Sequence, residues 1–334
     1  MAKDKKDKKS KKPVGRLRIL LVDGNNYVHR GYWAVQPLSN SDGFPTNAIK
    51  GTLNIILKDI EELKPDRAVV IFDKGGKKGW RSEIYPEYKR SPARVKAKND
   101  DKYEEIKQQF KPIRQLLKAM GFRLLGKKGV EADDYMGTLA TQFAEQGHEV
   151  LISTNDKDMA QLVDANINIV TAKERELLDP VGIKMAYGVK PTQIVDYLAL
   201  LGDKVDNIPG VDKCGPKTAA DWLRQYGSLK ELLANVEDLL PKQEMTKTGK
   251  PKKMKKPSQV VLNLIEAKKK KQFKLTKKLI RLKLDIPHKV DIDNCAFGEP
   301  DTERLKRICD RYELKETHKQ ILKMLKNRPK KGLW

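Results

Sequence analysis

Nine carboxylates fall into five short clusters: Asp23 in ILLVDGNN, Asp73 in VVIFDKGG, Glu131, Asp133 and Asp134 in GVEADD, Asp156 and Asp158 in LISTNDKD, and Asp203 and Asp206 in LGDKVDNIPG. Four of these clusters are of the kind that ends a parallel β-strand or opens the next helix, which is where an open α/β sheet builds its site. Converging carboxylates cannot all stay ionised at neutral pH without compensating cations. Hard divalent cations bound through oxygen are the simplest compensation. Glu131 and Asp134 share one face at a helix start, and Asp156 and Asp158 can make adjacent contacts from one loop. Singly, each acid is also what a turn or a helix N-terminus uses. Three acids in four residues at 131–134 exceed the needs of a cap. Two divalent ions roughly 4 Å apart would clamp the attacking water and the leaving oxygen of a phosphodiester.

The rest of the chain has the opposite sign, with a net charge of +24 over 334 residues. Residues 1–12 carry +5, residues 242–256 carry +6 and residues 268–289 carry +9. A carboxylate site in so basic a chain points to metal-dependent chemistry on a polyanion, with nucleic acid first among them. The Lys-rich runs are either solvated tails and helix faces or sequence-independent phosphate contacts. Cys214, Cys295 and Cys309 and the four histidines show no zinc spacing, so free thiols in a reducing, cytoplasmic compartment are expected. No apolar run reaches the ~20 residues of a membrane span, and no apolar leader opens the chain.

The elements that must hold these acids alternate. Strands are expected at 18–23, 68–73, 122–125, 150–154 and 167–171, with helices at 47–63, 103–120 and 132–146 between them. Pro112 is expected to kink or interrupt its helix. This pattern predicts a mostly parallel α/β sheet covered on both faces. Beyond Pro191 only helices are expected, at 192–201, 217–226, 259–271, 302–312 and 317–325, with the form of 273–286 open. Residues 1–15 read as a disordered basic arm and 241–257 as a mobile basic loop.

Two further segments carry signal. In GDKVDNIPGVDKCGPKTA, Gly210 and Gly215 permit backbone N–H groups to approach a phosphate, and Pro216 opens a helix whose N-terminus favours anions. An ordinary turn between two helices is the alternative. Segment 74–102 interleaves Lys74, Arg81, Lys89, Arg90 and Arg94 with Trp80, Tyr85 and Tyr88, a mixture suited to single-stranded nucleic acid. So long a loop is otherwise a flexible surface segment.

VDGNN, FDKGGKKGWRSEIYPEYKR, GVEADD, STNDKD and GDKVDNIPGVDKCGPKTA stand in the order of the 5′-nuclease (flap endonuclease) superfamily. The chain resembles its bacterial and phage branch, including the 5′-nuclease domain of DNA polymerase I, over about residues 17–235, with a weaker echo at 274–287. The resemblance implies a PIN-like domain at 16–190 with a helical arch at about 74–104, a helix–three-turn–helix (helix-hairpin-helix) DNA-binding region at 191–290, and a C-terminal helical extension at 291–334. It implies a stand-alone Mg²⁺-dependent 5′-3′ exonuclease and flap endonuclease of a bacterial or phage-infected cell. Two ions would serve it, with Mn²⁺ able to substitute. Asp23, Asp73, Glu131 and Asp133 match the ligands of the first metal. Asp133, Asp156, Asp158 and Asp203 match those of the second, with Asp134 and Asp206 farther out. Lys89 and Arg81 match basic arch residues that approach the scissile phosphate, and Trp80 stands where the family usually has Phe. The hairpin residues Gly210, Val211, Lys213, Gly215, Lys217 and Thr218, with Lys74, Arg90 and Arg94, would hold DNA, and K⁺ commonly accompanies the hairpin. Implied partners are 5′ single-strand/duplex junctions and replication proteins, with the chain a monomer away from membranes. A PIN-type ribonuclease and a non-catalytic DNA-binding accessory protein stay as alternatives. The complete set of nine acids weighs against the second.

Overall fold

Leu-, Ile- and Val-rich runs that stop at Asp or Gly make the strands, and apolar stripes of helical period make the layers that cover them. The computed structural model describes residues 15–75, 79–171, 175–242 and 256–328. The basic arm at 1–12, Lys77 and Lys78 of the arch, and most of the 241–257 insert lie outside the described residues. The first part runs β1 (Arg18–Asp23), α1 (Gly24–Ala34), α2 (Asn47–Leu63), β2 (Arg67–Ile71), α3 (Trp80–Ile84), α4 (Pro92–Lys98), α5 (Asp101–Ala119), β3 (Arg123–Leu125), α6 (Ala132–Glu145), β4 (Glu149–Ser153), β5 (Ile167–Val170), β6 (Leu177–Leu178) and α7 (Pro180–Tyr187). Helices follow: α8 (Ile194–Leu201), α9 (Pro216–Tyr226), α10 (Leu229–Ala234), α11 (Gln259–Lys269), α12 (Gln272–Ile280), α13 (Thr302–Arg311) and α14 (Lys315–Asn327).

The sheet order is β3-β2-β1-β4-β5-β6, parallel except for β6, which pairs antiparallel with β5. β1 is central, with Leu20 beside Ala68 of β2 and Leu151 of β4. The chain therefore winds outward in both directions from β1, and the β1/β4 boundary is the switch point at which such sheets bind ligands. Side chains alternate faces along each strand. Ile19, Leu21, Val69, Ile71, Val150 and Ile152 pack under α6 and the helices from α8 to α12. Leu20, Val22, Ala68, Val70 and Leu151 pack against α1, α2, α5, α13 and α14. Each fully buried aliphatic among them contributes roughly 1.5–3 kcal/mol.

The structure adds to the pattern reading, and in places differs from it. Helix α1 starts directly at Gly24, where the Asp23 carboxylate caps the Asn26 amide. Its glycines and asparagines dilute any apolar stripe, and Gly31 instead lets α2 approach. A Cβ on Gly51 would lie 2.1 Å from the Gly31 carbonyl oxygen. Helix α5 is not interrupted at Pro112: Pro112, Ile113, Leu116 and Leu117 are buried together, and that packing outweighs one missing amide. The aperiodic segment 74–102 is helical in α3 and α4, and the open segment 273–286 begins as α12. Short β6 and α7 carry too few residues for a period. Finally, α13 and α14 return to the sheet, with Leu305, Cys309 and Ile321 in the core beside α5 and α2.

Candidate active site

The strand ends and helix starts do bring the predicted acids to one end of the sheet, but the acids divide into two groups. Asp23 ends β1 and is buried, its carboxylate accepting from the Asn26 amide at 3.0 Å and from the Thr154 hydroxyl at 3.0 Å. Burial and the charges of Asp156 and Asp73 push its pKa up to about 6 against those bonds. Asp73, just past β2, is exposed, and it accepts from the Ala132 amide at 2.8 Å and from the Asn25 side chain at 3.1 Å. The Asp133 carboxylate has no hydrogen bond or ion pair among the described residues. Its pKa is raised by burial and then by Asp156, Asp23 and Asp73, against the pull of Lys89. Asp156 follows β4 and accepts from the Asp158 amide at 2.8 Å. Burial and Asp156 push Asp158 up to about 8, with Lys157 opposing. Burial and neighbouring carboxylates thus raise Asp23, Asp133 and Asp158, and none of the five acids forms a salt bridge with a cation among the described residues.

Glu131, Asp134, Asp203 and Asp206 are instead matched by cations. Asp134 is fully buried and accepts two 2.8 Å bonds from the Arg81 guanidinium and one of 2.8 Å from the Trp80 indole. Arg81 also donates to the carbonyls of Leu279 at 2.7 Å and Arg281 at 3.1 Å, and lies 3.5 Å from Glu131. Burial opposes its charge, and Asp134 and Glu131 more than compensate, so its pKa is raised. With 3% exposure and all three guanidinium nitrogens bonded to Asp134 or to the Leu279 and Arg281 carbonyls, Arg81 is turned away from solvent in this structure, contrary to the sequence expectation that it approaches a phosphate. Asp134 likewise has no lone pair turned toward the other acids: it clamps the arch base to the segment after α12.

Glu131 accepts from Lys89 at 2.9 Å and from the Tyr88 hydroxyl at 3.1 Å. Lys89 holds a left-handed backbone (φ 58°), with its amide on the Asp206 carbonyl at 2.9 Å. Burial opposes its charge, but Glu131, Tyr88 and Asp206 raise its pKa, so it stays cationic. Part of the side chain remains open to solvent. Asp206 pairs with Arg94 and lies 3.8 Å from Lys89. Asp203 turns the hairpin, accepting from the Val205 and Asp206 amides at 2.8 and 2.9 Å, and pairs with Lys157 at 2.7 Å. Ser91 and Asn207 complete the joint between arch and hairpin through the Val205 and Glu87 carbonyls.

The DNA-contact candidates also separate. Lys74, Arg90, Lys213 and Lys217 are exposed. Arg94 is committed to Asp206. Val211 is buried and its amide donates to the Leu200 carbonyl at 2.8 Å, so neither its side chain nor its N–H is available. Gly210 is required by packing inside the protein, since a Cβ there would lie 2.3 Å from the Leu201 carbonyl oxygen. At Gly215 a Cβ would meet open space, and the residue precedes the α9 N-terminus with Thr218 half-buried in its first turn. Sequence reasoning missed Tyr88, Thr154 and Lys157 as partners of the acids. Lys157 was legible, since it stands between Asp156 and Asp158.

The donor set fits a hard divalent cation: oxygen only, mutually repelling, with the Asp133 carboxylate unengaged. Among the described residues no three carboxylate, His or Cys groups close to the spacing of a formed metal site.

Comparison with known proteins gives a consistent picture. The family model described as the 5′-3′ exonuclease N-terminal resolvase-like domain matches residues 18–188, and that of the 5′-3′ exonuclease C-terminal SAM fold matches 189–303. The chain is 34% identical to a 5′-3′ exonuclease of Aquifex aeolicus, across 95% of this chain and 99% of the relative. It is 36% identical to a DNA polymerase I of Pseudomonas aeruginosa, of which it spans 33%. In three dimensions it is similar to a bacteriophage T5 flap endonuclease solved with DNA and metal ions, at a TM-score of 0.60 and 19% identity over 92% of this chain and 99% of that one.

Proposed function

This chain belongs to the 5′-3′ exonuclease family, and we propose that it is a divalent-metal-dependent 5′-3′ exonuclease and 5′ flap endonuclease acting on DNA. The observation that carries the reading is the group of uncompensated acids, Asp23, Asp73, Asp133, Asp156 and Asp158, at the switch point of the sheet beside a cationic arch. These residues would hold two Mg²⁺ ions, with Mn²⁺ able to substitute. Bound metal would supply charge stabilisation and a nucleophile at neutral pH.

The chain's own residues do the rest. Lys89, fixed by Glu131 and by the Asp206 carbonyl, presents a permanent positive charge where charge develops on the phosphate. Glu131 and Asp206 position Lys89, and Arg81 and Asp134 position the arch base behind it. Lys74 and Arg90 attract the strand, and the exposed Lys213 and Lys217 with the α9 N-terminus hold duplex phosphate. A K⁺ ion would accompany the hairpin, whose Gly210 and Pro209 carbonyls accept from Gln272 and Thr276. The reading places the enzyme as a monomer in the cytoplasm, at RNA–DNA primers or flaps left by replication proteins. Among the described residues no helix is long and apolar enough to cross a membrane.

The test is a labelled 5′-flap substrate incubated with Mg²⁺, Mn²⁺, Ca²⁺ or EDTA. Cleavage at the junction with Mg²⁺ and Mn²⁺, and none with EDTA, is expected. Cleavage of an RNA strand alone would give the ribonuclease reading. Tight junction binding with no product under any metal would give the accessory-protein reading.

A further inference from the structure

A second cationic feature begins at the site and leads away from it. A trough of about 750 Å³ opens at Asp73 and Gly75 and is lined by Tyr103, Phe110 and the basic face of α5. It is continued by a smaller hollow of about 270 Å³ that shares Gln115 and Arg304 with it and ends at Arg311 and Tyr312. The α5 wall is a single stripe, with Lys111, Arg114 and Lys118 at helical spacing. The opposite wall is the α13 stripe of Arg304, Arg307 and Arg311, also at helical spacing. From Lys107 to Lys118 the α5 wall extends roughly 16 Å.

Lys107 pairs with Glu104 at 3.0 Å. The other cations of the two walls, including Lys111, Lys118, Arg304, Arg307 and Arg311, have no carboxylate partner among the described residues. Arg114 is held over the Phe72 and Phe110 rings at 4.5 and 5.4 Å. Arg304, Arg307 and Arg311 are exposed and lie past the residues that the family models match. Two rows of mostly unpaired cations lining one trough, with aromatic rings at both ends, match a phosphodiester backbone carrying unstacked bases. A folded acidic protein would not need so narrow a track, and a duplex would not present bases to Tyr103, Phe110 and Tyr312.

We propose that this trough binds the unpaired 5′ strand of the DNA substrate on the far side of the arch, with α13 forming its outer wall. The inference deepens the nuclease reading and rests on it for the identity of the strand. The trough would make affinity depend on the length of the unpaired extension. Junctions with one unpaired nucleotide would not reach α13, and longer extensions would.

The experiment compares the wild-type chain with the Arg304→Glu, Arg307→Glu double variant. Binding is measured in EDTA on a junction with a single unpaired 5′ nucleotide and on one with a long unpaired 5′ DNA extension, at several salt concentrations. The variant is expected to lose about tenfold in affinity for the long extension, with a salt slope lower by about 0.7 for each phosphate it no longer neutralises. The single-nucleotide junction should bind as in the wild type, which also reports a folded variant. An equal loss on both junctions would assign α13 to the duplex and overturn the proposal, as would no loss on either. A cleavage arm in Mg²⁺ separates the two readings. A wild-type chain that fails to cleave, yet shows the extension-specific loss in the variant, would remove the nuclease reading and leave the trough.

Discussion

Two groups of acids sit within one site and are built in opposite ways. Glu131, Asp134, Asp203 and Asp206 each face a cation of the same chain, Arg81, Lys89, Arg94 or Lys157. Asp23, Asp133, Asp156 and Asp158 face mainly one another, and burial with mutual repulsion raises the pKa of Asp23, Asp133 and Asp158. The first group is complete within the protein: it fastens arch, hairpin and the segment after α12 into one frame. The second has no salt bridge to a cation of the same chain among the described residues, and its oxygens suit a divalent ion. The cations that meet half of these acids come from other elements of the chain.

The largest effect should come from the second group. Asp133→Asn and Asp156→Asn should reduce cleavage of a flap by orders of magnitude with junction binding retained, because removing negative charge does not weaken attraction to phosphate. Near-normal single-turnover rates in both would erase the distinction. Next, Arg81→Ala leaves Asp134 buried and unpaired, and should cost roughly 3–5 kcal/mol of folding stability, read from denaturant midpoints in EDTA. A loss of turnover with unchanged stability would return Arg81 to the phosphate.

A smaller effect concerns pH. Asp23 is raised to about 6 and Asp158 to about 8, above the unfolded value of about 4. The folded chain thus binds protons more tightly than the unfolded chain, so this contribution is fully present below the unfolded value and is lost as pH rises through 6 to 8. In EDTA, Asp23 alone should cost on the order of 3 kcal/mol of stability, most of it between about pH 4 and 6, with the Asp158 loss continuing to about pH 8. Saturating Mg²⁺ should flatten the slope. A pH-independent melting temperature in EDTA would show that the acids are not strained. The smallest effect is Lys157→Ala, which removes a half-exposed pair with Asp203 and should cost under about 1 kcal/mol.

Much of this was legible in the residues. Apolar runs stopping at Asp23, Asp73 and the Asn155-Asp156 turn placed the strand ends, and GVEADD placed the start of α6. The division of the acids was not, because it depends on pairs such as Arg81 with Asp134 and Lys89 with Glu131, whose partners come from separate elements. Spacing along the chain carries no record of such contacts. Helix α1 escaped the pattern because its packing is made by the absence of side chains at Gly31 and Gly51. The interruption expected at Pro112 is absent because a buried face holds the helix together there.

The division of the acids is tested most directly by melting temperature as a function of Mg²⁺ at pH 8, for the wild type, Asp133→Asn and Asp206→Asn. A cation that binds only the folded state raises the melting temperature with concentration. The wild type should show that rise, Asp206→Asn should keep it, and Asp133→Asn should lose it while melting higher than the wild type in EDTA. A full Mg²⁺ response in Asp133→Asn, or its loss in Asp206→Asn, would contradict the assignment.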